Sequence, residues 1–170
     1  MAPSVYLLAG PSPSAKLFRI PMKSLFAATD RQSLLQRLAA LQPASTRQWG
    51  TMSPAQMLCH CALALETGTG DRPMKQRFLG KIVTPLIRSS IFGEKPFGRN
   101  SPTDPTFVVS AEKDFIAERT RLTSLIESFV QRGPDTAAKA THAFFGKLTG
   151  EEWGRLMYKH IDHHLRQFGA

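Results

Sequence analysis

Acidic residues are scarce in this chain. Thirteen Asp and Glu stand against 22 Lys and Arg, a formal net charge of +9. That balance leaves nucleic acid, anionic membrane and acidic metabolites as partner classes. The basic residues are scattered, with no stripe of Lys and Arg interleaved with aromatics, which argues against specific nucleic-acid binding. Cysteine is almost absent. Cys59 and Cys61 lie two positions apart, too close on one helix for an ordinary disulfide. Nothing else points to an oxidising compartment, and a cytoplasmic location is the expectation. No apolar run approaches the ~20 residues of a membrane-spanning helix. A Gly-rich phosphate loop after a strand, a Gly-x-Ser-x-Gly elbow and an internal repeat are all missing, which removes the common nucleotide-binding and serine-hydrolase signatures.

The 170 residues suit a single domain, which at this size buries roughly 70% of its unfolded surface. Residues 1–21 look detached from it. They are rich in proline, and their one apolar run, Val5 to Gly10, has no basic residue before it. It is therefore a poor secretory signal. The expectation is a flexible or loosely docked tail, with Met22 as an alternative translation start and one domain over 22–170.

Five helices are expected in that domain. The first starts at Thr29, with Gln32 completing a capping box, and carries Leu34, Leu35, Leu38 and Leu41. The second starts at Ser53-Pro54-Ala55-Gln56, where cap, first-turn proline and capping-box glutamine agree. A third is expected from Met74 to about Phe92, with Phe78, Ile82, Leu86 and Ile87 on its apolar side and Pro85 as a kink. A long Gly- and Pro-rich loop follows to Thr106, bearing Lys95, Arg99, Asn100 and Asp104; loops of that length are often functional. The fourth helix, capped by Ser110 and stopped at Gly133-Pro134, buries Phe115, Ile116, Leu122, Leu125, Ile126 and Phe129. The last is capped by Thr149 with Glu152 and runs to Phe168.

The last helix carries the chemistry. Trp153, Leu156, Met157, His160, His164 and Phe168 recur at three- and four-residue steps, the period of one buried face. At about 100° per residue, His160 and His164 lie one turn apart on that face and can converge on one ion. His163 flanks them, and Asp162 points the other way. Chance His-x-x-x-His pairs are frequent, so a third ligand is needed. His60 supplies it, because it lies on the buried stripe of the second helix with Met57, Cys61, Ala64 and Leu65. Cys59 and Cys61 diverge from His60 by about 100° on either side. They cannot share its ion, and neither has an adjacent base to make it a nucleophile. His142, just before the last helix, either faces the same pocket or is a loop residue hydrogen-bonded to backbone; spacing does not decide.

Trp49-Gly-Thr-Met-Ser-Pro-Ala-Gln-Met-Leu-Cys-His60 and the terminal His160-x-x-x-His164 together resemble the DinB/YfiT-like superfamily of metal-binding four-helix bundles. Gly93 to Thr103, His142 to Thr149 and Lys159 to Gly169 look like one uncharacterised subfamily of it. The resemblance covers roughly residues 22–169. It implies an all-α bundle of the up-down-down-up type, with extra short helices and the long loop. It also implies a divalent ion, zinc, nickel or similar, held by His60, His160 and His164. Characterised relatives depend on low-molecular-weight thiols, bacillithiol or mycothiol. Three histidines leave one position of the ion open, the mark of a catalytic site. Such an ion lowers the pKa of bound water toward ~7 or holds a thiol as thiolate.

The resulting expectation is a metal-dependent thiol transferase or hydrolase. Lys95, Arg99 and Asn100 bind the acidic groups of a small-molecule ligand or thiol at the mouth. His142 and His163 serve as acid or base beside the ion, or orient its ligands. The competing expectation is a non-catalytic bundle that uses the ion for structure or sensing, or dimerises. A fourth protein ligand, Glu94, Asp104 or His142, would favour it.

Overall fold

A computed structural model describes residues 22–170; the tail expected over 1–21 lies outside the described residues. The described chain is mainly helical. In order it forms α1 (Ala28–Ala40), α2 (Pro54–Thr69), α3 (Phe78–Ile91), a single 3-10 turn (Pro105–Phe107), α4 (Phe115–Ala137), β1 (Thr141–His142), β2 (Gly146–Lys147) and α5 (Gly150–Gln167). The strands pair antiparallel, with Thr141 opposite Lys147 and His142 opposite Gly146. This small hairpin, between the last two helices, qualifies the all-α expectation.

Two helix starts follow from their capping residues. At α2, Ser53 Oγ accepts from the Gln56 N–H at 3.2 Å while Gln56 Oε1 accepts from the Ser53 N–H at 2.9 Å. At α5, Thr149 Oγ1 and Glu152 do the same at 3.2 and 2.9 Å. Each reciprocal pair satisfies donors that the first helical turn leaves free. The caps fix where both helices begin, and their apolar stripes decide which residues turn inward. Met57, Leu58, Cys61 and Leu65 of α2 join Leu122, Ile126 and Phe129 of α4 and Trp153, Leu156, Met157, Ile161 and Leu165 of α5 in one core, which Leu34 and Leu38 of α1 complete. A close approach of α2 at Gly68 makes room for Trp153 and Phe129. A Cβ there would stand 3.0 Å from the Phe129 ring and 3.2 Å from that of Trp153.

Several expected boundaries move. The N-cap of α1 is Ala27, without a side-chain cap, so the Thr29–Gln32 box does not form. Asp30 instead takes the Ser24 N–H at 3.1 Å. The cap of α4 is Asp114, whose Oδ1 accepts from the Ala117 N–H at 2.7 Å. Ser110 lies upstream, its carbonyl receiving Gln56 Nε2 at 3.1 Å. Gly133 does interrupt α4, at φ 77° and ψ 171°, but one more turn follows it to Ala137. Ile116, expected in the core, is exposed.

The largest difference is at α3. It starts at Phe78 rather than Met74, and its Phe78, Ile82 and Leu86 are exposed. The helix turns its small, polar side to the body instead. A Cβ on Gly80 would stand 2.2 Å from the Phe144 carbonyl oxygen, and Thr84 Oγ1 donates to the same oxygen at 3.1 Å. The Arg77 N–H donates to the Ala143 carbonyl at 2.8 Å. Ion pairs from Arg77 to Asp104 and Arg88 to Glu152 tie the two ends. Backbone contact at Gly80 and these polar anchors outweigh the apolar periodicity that pointed the other way.

Candidate metal centre

His60, His160 and His164 come together between α2 and α5. Ring centroids are 4.9 Å apart for His60–His160 and 4.8 Å for each of the other two pairs. His60 Nε2 and His160 Nε2 stand 3.0 Å apart. Two nitrogens 2.0–2.1 Å from one ion lie about 3 Å apart when they subtend roughly a right angle. The atoms that could ligate an ion, one from each of the three residues, fall within 4.8 Å of one another. Among the described residues no fourth His, Cys, Asp or Glu joins this group.

Outer contacts aim two of the rings. His60 Nδ1–H donates to the Phe107 carbonyl at 2.9 Å, which leaves its Nε2 lone pair pointing inward. His164 Nδ1–H donates to Gln167 Oε1 at 2.9 Å, and Gln167 Nε2 donates onward to the Trp49 carbonyl at 2.7 Å. Hydrogen bonds of this kind set the tautomer and orientation of ligating imidazoles. The histidines are also held neutral. Burial pushes His60 below its ordinary value and His164 down to about 3. His160 is lowered by burial and then by its His164 and His60 neighbours. Neutral imidazole is the form a cation binds. Three uncharged donors leave the full charge of a divalent ion uncompensated, so an anionic further ligand is favoured.

His60 and His164 are buried, whereas His160 is half-buried. His163 is half-buried beside it, its ring 5.5 Å from Trp49 and 6.0 Å from Phe97. Arg99 sits over the Trp49 ring at 4.6 Å and Lys159 over Phe97 at 4.7 Å. These aromatics and cations form a lip around His163. Asn100 adopts the left-handed region, φ 56°, at the turn after Arg99, and Lys95 is exposed on the same loop.

His142 is bonded to backbone. Its Nδ1 accepts from the Phe144 and Phe145 N–H groups, both at 3.1 Å, and its ring stacks on Phe145 at 4.6 Å. It shapes the hairpin, in line with the backbone-bonded alternative, and burial lowers it to about 4. Asp104 pairs with Arg77 and Thr106. Both cysteines are buried. Burial raises the thiols of Cys59 and Cys61, the opposite of what a nucleophile needs.

Gln167 and the Phe107 carbonyl escaped the sequence reading. Gln167 has a faint signal, since it stands three residues after His164 and so on the same helical side. A carbonyl carries no side-chain identity and left no signal at all. Gln167→Ala should weaken zinc affinity by about 10–100-fold, the usual effect of losing such a support. Competition titration with a chromogenic chelator would show it. Unchanged affinity would mean the Gln167 contact does not orient His164.

Neither the curated proteins nor the solved structures contain a significant match to this chain. One family model does match, over residues 22–170. That span takes in every described helix, the hairpin and all three converging histidines, and by it the chain belongs to the family described as protein of unknown function (DUF1569).

Proposed function

We propose that the chain is a DinB-like divalent-metal protein, and that His60, His160 and His164 are its ligands. On this reading α1, α2, α4 and α5 are the four bundle helices, with α3 and the hairpin inserted between them. The observation that carries the reading is the group of three imidazoles. It is neutral, two of its members are fixed through Nδ1, and among the described residues no fourth His, Cys, Asp or Glu joins it. Such a set suits a catalytic ion better than a structural one, which normally has four protein ligands. Zinc and nickel both fit, because imidazole donors do not discriminate between them.

The reaction class proposed is thiol transfer or hydrolysis. When bound, the ion supplies Lewis acidity at an open position, for a water or for an exogenous thiol. The protein's own groups do the rest. Phe107 and Gln167 keep the Nε2 atoms of His60 and His164 inward. Trp49 and Phe97 flank His163 at the lip. Arg99, with Lys95 and Asn100, receives the acidic groups of the ligand at the lip. His163 is placed to hold or pass a proton, because its ring borders His164 at 5.1 Å. Cys59 and Cys61 take no part.

Elemental mass spectrometry of the purified protein should find about one divalent ion per chain. Saturating zinc or nickel should raise the melting temperature; binding at a hundred times Kd contributes about 2.7 kcal/mol. A thiol such as glutathione or cysteine should add to that shift only in the metal-loaded protein. Absence of bound metal, and no shift with manganese, cobalt, nickel, copper or zinc, would sink the metal assignment. A metal shift with no effect of any thiol would favour the non-catalytic reading.

A further inference from the structure

The outward side of α3 is apolar and has no partner among the described residues. Phe78, Leu79, Ile82 and Leu86 are 78, 62, 55 and 80% exposed. With Pro85 they fill an arc of roughly 120° on the helix. No charged residue falls within that arc. A contiguous apolar patch of this kind, on a helix anchored by its other side, marks an interaction surface.

We propose that this face of α3 docks on an anionic lipid surface. Charge selects the occupant. Residues 72–93 contain Arg72, Lys75, Arg77, Lys81 and Arg88 and no Asp or Glu. Arg77 and Arg88 are spent on Asp104 and Glu152, which fasten the helix to the body. Lys81, next to the apolar arc on the helix, and Lys75, in the segment leading into it, are both exposed. Apolar side chains entering the acyl boundary, with lysines at the headgroups, is the pattern of an in-plane interfacial helix. The helix has 14 residues, too few to span a bilayer, and no described helix is long and apolar enough to cross one. A second copy is the weaker occupant, because it would set two +9 chains against each other at their basic side. Residues 1–21 bring Lys16 and Arg19 and no acid, so they offer no complementary charge either.

Co-sedimentation of the full chain with vesicles tests this. Vesicles of phosphatidylcholine and phosphatidylglycerol in equal parts should retain at least about tenfold more protein than phosphatidylcholine alone, and added salt should reverse the gain. Phe78→Ser/Leu86→Ser should lose about tenfold of that binding while keeping its zinc stoichiometry and helical circular dichroism. Equal binding by parent and variant would overturn the proposal. A polarity-sensitive dye on Leu86→Cys should report water in the free monomer and shift to the blue on mixed vesicles. The native cysteines are buried and do not compete for the label. Blue emission from the vesicle-free monomer would mean that residues 1–21 cover the face. A parent dimer that the double serine variant converts to monomer would mean a second copy does. Either result overturns lipid docking.

Discussion

His164→Ala should strip the chain of its ion, weakening zinc or nickel affinity by well over about 100-fold, more than loss of a supporting contact costs. Two imidazoles would remain where three converge within 4.8 Å. The same loss is expected of His60→Ala and of His160→Ala. His163→Ala is the control. Its ring faces Trp49 and Phe97, so the variant should keep a full complement of metal while any activity or thiol binding changes. Elemental analysis after dialysis reads all four variants. Undiminished metal in His164→Ala, with circular dichroism unchanged, would refute the ligand assignment.

Acid should destabilise the metal-free protein before its depressed carboxylates, Asp71 and Asp104, protonate. His60, His142, His160, His163 and His164 are all lowered from 6.5 by burial, with His142 at about 4 and His164 at about 3. In the unfolded chain each returns to about 6.5. Below that pH the unfolded state binds more protons than the native one, so stability falls. It is complete above about 6.5 and is lost as pH drops through the folded values. Asp71 and Asp104 are depressed as well, but their contribution disappears only below the ordinary carboxylate value of 3.8. The window from 6.5 to 4 therefore belongs to the histidines. With two of them shifted this far, the loss by pH 4 is on the order of several kcal/mol, comparable with the whole stability of a domain. Urea titrations across this window should show the midpoint falling steadily, and saturating zinc should delay the fall near neutrality. A midpoint independent of pH from 6.5 to 4 would contradict the neutral, buried state of these rings.

Local rules are enough to place the three converging histidines. Ser53 and Thr149 cap their helices through contacts within four residues, so the caps could be read from the chain and the start of each helix followed. A buried stripe then decides that His60, His160 and His164 turn inward. The core residues Met57, Leu65, Trp153 and Met157 follow from the same periodicity, because hydrophobic burial depends mainly on which face is apolar.

Tertiary contacts decided the remainder. No local pattern tells that the small, polar side of α3 meets the body and its apolar side does not. Gly80 and Thr84 against the Phe144 carbonyl settle it, and that carbonyl lies 60 residues beyond Thr84. The role of His142 was open for the same reason: the choice rests on a hairpin of two-residue strands that no periodicity can announce. Asp114 and not Ser110 caps α4, and the Ser110 carbonyl instead receives Gln56 from another helix. The support behind the candidate ligands runs through the Phe107 and Trp49 carbonyls. Every residue carries that group, so its identity in the sequence says nothing, and only the folded path of the backbone brings these two to the site.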